Sequence, residues 1–376
     1  MDTYNVWIEV DIAKIKSNIR KIKALVKADV NLMAIVKANA YGHGMVHIAR
    51  TLADEVNYFG VSSYEEGNAL RRDGILTPIL MLGSVLPYEW DRAIDSDLTF
   101  SVSDIGYARE LNTVGKKHGK KVRVHVKVDT GMGRWGIPYT HAFEDIKIIN
   151  DLSFIEMEGI FTHFPVAENE HMDYTDRQIE LFKALLDELN AQNIHFQYTH
   201  AANSAGIVNF SESHFSLVRP GIMIYGYYPQ EYLQKKLSLE RVLSLKTRVS
   251  LIKEFTSRRG IGYGRKFITK KKTKIAVIPV GYSHGYPYAL SQKAYVLIKG
   301  KRYPVAGSIS MDYTMIDLGD TSDVVVGDEV IMLGVSRDEE ITAYELAKEA
   351  NTIPYEIITS LNIQIPRIYI HDEASS

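Results

Sequence analysis

The sequence predicts a (β/α)8 barrel of the TIM type over residues 11–240, then a mostly antiparallel β domain over 241–376 that residues 1–10 join. Three observations predict it. Before residue 240, short apolar runs alternate about eight times with amphipathic stretches, the pattern of successive parallel βαβ units. After it the texture changes to β-rich runs punctuated by Gly and Pro. Finally, 376 residues suit two domains of roughly 150 residues or more.

Taken in order, Ile12, Ile15, Ile19, Ile22 and Leu25 recur at helical spacing. Leu32 to Val36 is the first strand-like run and closes on Lys37. A second helical stripe follows at Met45, Ile48, Ala49 and Leu52. Further strands are predicted near Tyr58–Ser62, Ile79–Leu82, Leu98–Val102, Val122–Val128, Ile155–Thr162, Ile194–His200 and Leu217–Val218. Between them lie helices such as Asp176 to Asn190. An open doubly wound sheet would carry a glycine-rich phosphate fingerprint after the first strand, and none follows here. In the second domain the β runs are Thr247–Ile252, Lys274–Val280, Tyr295–Ile298, Tyr313–Asp317 and Glu329–Leu333, with one helix at Tyr344 to Ala350.

Composition removes several function classes. With no cysteine there is no disulfide framework, thiol nucleophile or iron–sulfur cluster, and no metal site is expected. Forty-four basic against 46 acidic residues argue against a nucleic-acid binder. Apolar runs fall far short of the ~20 residues of a membrane span. Met1-Asp2-Thr3-Tyr4 is neither basic nor followed by a signal-type stretch, so a cytoplasmic protein is expected.

Active sites of such barrels are built at the C-terminal ends of the strands. Those ends deliver Lys37, then Asp129-Thr130-Gly131-Met132-Gly133-Arg134, then His163, Asn203-Ser204 and Arg219-Pro220-Gly221. Lys37 is either an amine reaching solvent or a desolvated nucleophile toward a carbonyl, with an aldehyde cofactor as natural partner. Ser204 reads equally as a helix N-cap or a phosphate ligand, and Gly221 as a turn glycine or part of an anion cup.

The segment Val36-Lys37-Ala38-Asn39-Ala40-Tyr41-Gly42-His43-Gly44 closely resembles the pyridoxal phosphate attachment site of alanine racemases. The resemblance continues through Val126–Arg134, His200–Ser204, Val218–Ile222, Ile261–Gly264, Ser310–Asp312 and Asn351–Glu356. It implies an isomerase interconverting L- and D-alanine, with Lys37 and Tyr263 as bases on opposite faces of the cofactor, taking the D and L α-protons respectively. It further implies that Tyr41, Ser204, the Gly221–Ile222 backbone and Tyr355 hold the cofactor phosphate, with Asn203 also at the cofactor. Arg219 would face the pyridine nitrogen and His163 the ring, while Arg134 and the Met311 amide would hold the substrate carboxylate, with Asp312 also at the substrate. Lys127 falls where many members carry a carbamylated lysine, its alternative being an ordinary ion-paired strand lysine. A homodimer with composite sites and a supply of D-alanine for peptidoglycan are implied as well.

The chain departs from the family pattern at Ser283-His284, Tyr288, Ser308 and Trp135, which lie near the substrate entrance in the family. A serine or broad-specificity racemase is the alternative. A basic-amino-acid decarboxylase would need a cysteine this chain lacks, and a cofactor-carrier protein would lack the β domain. The bulk of Tyr355 favours alanine over larger substrates.

Overall fold

Tyr58–Val61 and Thr99–Val102 are buried at every residue, as strands covered on both faces must be. They belong to eight parallel strands: Asn31–Ile35, Tyr58–Val61, Ile79–Met81, Thr99–Val102, Val122–Asp129, Ile155–Phe161, Tyr198–His200 and Leu217–Val218. Leu217–Val218 returns to pair with Asn31–Ile35, and the Ser216 amide donates to the Thr199 carbonyl at 3.1 Å. The barrel is thereby nearly closed. The computed structural model describes residues 4–168 and 173–371.

The helices between the strands follow from their sequence periods and caps. Asp173–Ala191 buries Ile179, Phe182, Leu185 and Leu189 on one stripe. Ser63 and Asp104 cap their helices by accepting from the amides of Glu66 and Tyr107, and Gly119 ends its helix at φ +64°. The run expected over Ile194–His200 is a strand only from Tyr198. Asn193 turns at φ +58° and the Ile194 amide donates to Leu189, so these residues finish the preceding helix.

Two compact units make up the chain: Lys16–Ala40 with Met45–Glu240, which contains the barrel, and Met1–Ile15 with Tyr41–Gly44 and Arg241–Ser376. In the second, Lys301–Pro304, Tyr295–Ile298, Glu329–Ser336, Leu243–Arg248, Val6–Asp11 and Arg367–Ile370 form one sheet in that order. Only the last pair is parallel. Leu251–Phe255, Thr273–Ile278 and Thr314–Gly319 form another. The single strand expected at Thr247–Ile252 is therefore two. The Val249 amide bonds to Asp328 and the Ser250 amide to Val277, so the chain changes sheets there. Beside the expected helix, observed as Ala343–Ala350, a second runs over Pro354–Thr359 with proline at its first position.

Candidate active site

Lys37 follows the strand Asn31–Ile35 and opens a turn of unusual hand. Ala38, Asn39, Ala40 and Tyr41 all have φ between +52° and +54°. Each such residue costs about 1–2 kcal/mol in an L-chain, so the surroundings must impose the turn. In the barrel unit, Glu66 Oε1 accepts from the Ala38 amide at 2.7 Å, Asn39 Oδ1 from the Met45 amide at 2.9 Å, and Val36 O from the Ala40 amide at 2.8 Å. Glu66 and the Asn39 side chain are contributions to Lys37 that sequence reasoning missed; the Ser-Tyr-Glu-Glu of a helix start was the available signal.

The barrel mouth is strongly cationic. Burial, then the nearby Arg134, lowers the pKa of Lys37, with Glu66 opposing. Burial pushes Lys127 down to about 8, helped by Arg134, Arg219 and Lys37. Lys127 is 4 % exposed, with Nζ 5.3 Å from the Trp135 ring centre and 5.7 Å from that of Phe161. His163 lies well below the ordinary histidine range because of burial, then Arg219 and Lys127. Arg219 is buried and pushed down to about 9, which leaves it a cation at neutral pH. Its Nη2 donates to the carbonyls of Thr162 and Ala201, and lies 3.3 Å from His163 Nδ1. Arg134 is exposed, on a loop whose Gly131, Met132 and Gly133 amides all donate to the Asp129 carboxylate.

An anion cup lies at the next strand ends. Asn203, not Ser204, is the N-cap: its Oδ1 accepts from the Gly206 amide and its Nδ2 donates to Phe164 O. That leaves the buried Ser204 hydroxyl, which accepts from the Gly221 amide at 3.0 Å where the 3-10 turn Ile222–Tyr225 begins. A carbonyl-reactive amine, a buried arginine and a serine–amide cup make a donor set that suits pyridoxal phosphate: aldehyde, ring nitrogen and phosphate each have a matching group.

In the second unit the rings of Tyr41 and Tyr355 approach to 6.2 Å between centres. Burial raises the Tyr41 pKa, so its hydroxyl stays protonated. Tyr263 opens the turn Tyr263–Arg265 between the paired strands Gly260–Ile261 and Phe267–Ile268, flanked by Gly262 and Gly264, both at φ +68°. Of the departures from the family pattern, Trp135 lies in the barrel unit over Lys127, while Ser283, Tyr288 and Ser308 belong to the same unit as Tyr263. Ser308 Oγ donates to the Tyr263 carbonyl at 3.2 Å. Ser283 Oγ donates to Met311 O and Asp312 Oδ1, both at 2.8 Å. Tyr288 takes a bond from Lys266 at 3.2 Å, and bonds from Ser308 and Lys266 lower its pKa.

A family model described as "Alanine racemase, N-terminal domain" matches residues 10–229, and one described as "Alanine racemase, C-terminal domain" matches 242–369. The chain is 40% identical over 366 residues to "Alanine racemase 2" of Caldanaerobacter subterraneus subsp. tengcongensis, covering 97% of this chain and 94% of that protein. Among solved structures, the alanine racemase of Clostridium difficile 630 matches with a TM-score of 0.94 and 35% identity, covering 98% and 97% of the two chains. The same enzyme solved in complex with cycloserine matches at 0.91 and 34%, covering 98% and 96%.

Proposed function

The chain belongs to the alanine racemase family and catalyses that family's interconversion of L- and D-alanine, and from that premise we propose how its residues divide the work. The observation that carries the assignment is Lys37, an amine whose neutral form is favoured by burial and by Arg134 at the end of a barrel strand. Lys37 would hold pyridoxal phosphate. Ser204 and the Gly221–Ile222 amides, with Tyr41 and Tyr355, would take its phosphate, and Asn203 would anchor the Ser204 helix. When bound, this cofactor offers an aldehyde to the substrate amine and a conjugated ring that disperses the charge left at Cα. Arg219 would donate to the ring nitrogen without surrendering its proton, and His163 would line the ring.

Lys37 then moves the proton on one face of Cα and Tyr263 on the other, because inversion needs a base on each side. Arg134 and the backbone of Met311, with Asp312 beside it, would hold the carboxylate. Tyr263 is 76 % exposed and Met311 55 % exposed, with Tyr282, Tyr288 and Tyr313 exposed on the same unit. A proton-transfer site must be screened from water, so a second copy is the proposed cover, giving a homodimer with shared sites. Among the described residues no helix is long and apolar enough to cross a membrane, and we place the reaction in the cytoplasm.

Borohydride trapping of the bound cofactor, followed by peptide mapping, should mark Lys37. In deuterium oxide, Tyr263→Phe should lose Cα exchange from L-alanine and keep it from D-alanine. A verified monomer should bind cofactor without racemising. A mark on another lysine, equal loss of both exchanges, or turnover in the monomer would each overturn the corresponding role.

A further inference from the structure

Barrel interiors are ordinarily filled with branched apolar side chains, but here a polar column takes part of that space. Arg219 Nη1 donates to His200 Nδ1 at 2.7 Å. His200 Nε2 lies 2.8 Å from His125 Nδ1, and His125 Nε2 lies 3.3 Å from Glu158 Oε2. That oxygen also accepts from the Tyr58 hydroxyl at 2.8 Å, which is itself 2.6 Å from Thr99 Oγ1. Both imidazoles are fully buried, and the Glu158 side chain is 11 % exposed. The column is built from six barrel strands or their ends, and the Phe161 ring stacks on His200 at 4.7 Å.

Donor arithmetic leaves one arrangement. A guanidinium only donates, so His200 Nδ1 accepts and its Nε2 carries the hydrogen. That hydrogen goes to His125 Nδ1, and His125 Nε2–H is left for Glu158, a carboxylate that only accepts. Reversal would set N–H against N–H at Arg219 and a lone pair against the carboxylate at Glu158. A proton added to His200 would place two cations 2.7 Å apart. Burial and then Arg219 hold His200 well below its ordinary pKa, and burial lowers His125 despite Glu158. Burial alone would raise Glu158, but bonds from His125 and Tyr58 bring it below the usual value. The other charge facing this end is Arg123, paired with Asp97 at 2.6 Å.

We propose that His125 and Glu158 are positioning residues for Arg219: they fix His200 as the Nε2–H tautomer, so that Nδ1 stays an acceptor and holds the guanidinium at the barrel mouth. Among the described residues this leaves Arg219 Nε–H and one Nη1 hydrogen to meet a ligand. The catalytic consequence rests on the reading of Arg219 as partner of the cofactor nitrogen; the tautomer does not.

The test is long-range 1H–15N correlation on the full chain labelled with 15N-histidine, with and without pyridoxal phosphate. In the unaltered protein both imidazoles should be neutral Nε2–H tautomers across about pH 6–8. Glu158→Leu should leave the His125 Nε2–H without its acceptor, shifting the 15N and 1H signals of that group, and lower kcat about tenfold, with KM for alanine changed less than about twofold. Glu158→Gln should rescue both readings, since an amide oxygen in that place still accepts from both His125 and Tyr58. An Nδ1–H or doubly protonated His200 in the unaltered protein overturns the proposal without any variant. So does unchanged kcat in Glu158→Leu, or failure of glutamine to rescue. Intact tautomers in a chain that binds no pyridoxal phosphate would support the relay and overturn the cofactor reading on which the catalytic role of Arg219 rests.

Discussion

Lys127 offers the most quantitative test of the site. Its fall from an ordinary 10.5 to about 8 corresponds to about 3 kcal/mol against the ammonium, a cost set by burial and by Arg134, Arg219 and Lys37. Carbamylation, the proposed modification, would exchange that cation for an anion facing arginines. The perturbation is Lys127→Met, which keeps the apolar contact with Trp135 and Phe161 and removes the charge. In bicarbonate-free buffer below pH 8 the variant should be the more stable protein, by up to about 3 kcal/mol. The unmodified lysine binds fewer protons folded than unfolded between about 8 and 10.5, so wild-type stability should rise with pH across that window. The variant should lack that rise. With bicarbonate restored the stability order should reverse, and the variant's KM for alanine should exceed that of wild type by about tenfold. Calorimetry, kinetics and the carbamate signal after equilibration with 13C-bicarbonate read these effects together. No carbamate signal, with KM indifferent to bicarbonate, would refute the reasoning.

Three further outcomes are expected. Asp129→Ala removes the acceptor for three loop amides ahead of Arg134; on a partly solvated loop that is worth about 2 kcal/mol, so KM for alanine should rise about 30-fold with the denaturation midpoint little changed. An unmoved KM would count against it. Gly42→Ala should destabilise the protein by at least about 2 kcal/mol in chemical denaturation, because φ is +86° and a Cβ would strike the Ile358 carbonyl oxygen. An unchanged midpoint would contradict that geometry. Because burial and then Arg134 lower Lys37, cofactor loading should follow a titration below 10.5, and Arg134→Gln should move it upward. A midpoint indifferent to residue 134 would exclude that coupling.

Much of the barrel was legible because its signals are local. Strands such as Ile79–Met81 are continuous apolar runs, and Asp173–Ala191 repeats its apolar residues at helical spacing. Where the reading strayed, a non-local bond decided. Ile194 looks like strand, yet it closes a helix through Leu189. Thr247–Ile252 looks like one strand, yet successive amides bond to different sheets. Of the site, the residues at strand ends were visible, since position after an apolar run marks them. Ser204 was ambiguous until Asn203 was seen to take the capping role.

From the linear chain alone came the alternation that makes a barrel, the change of texture into a β domain, and the order of chemical groups at the strand ends. These depend on periods of two and 3.6 residues and on neighbours within a few positions. The left-handed turn after Lys37, the Asp129 cradle and the Arg219–His200–His125–Glu158 column belong to the tertiary structure. His125, Glu158 and Arg219 stand successively 33 and 61 residues apart along the chain. Their pairing, protonation and tautomers exist only when strand packing removes water and leaves each donor a single acceptor.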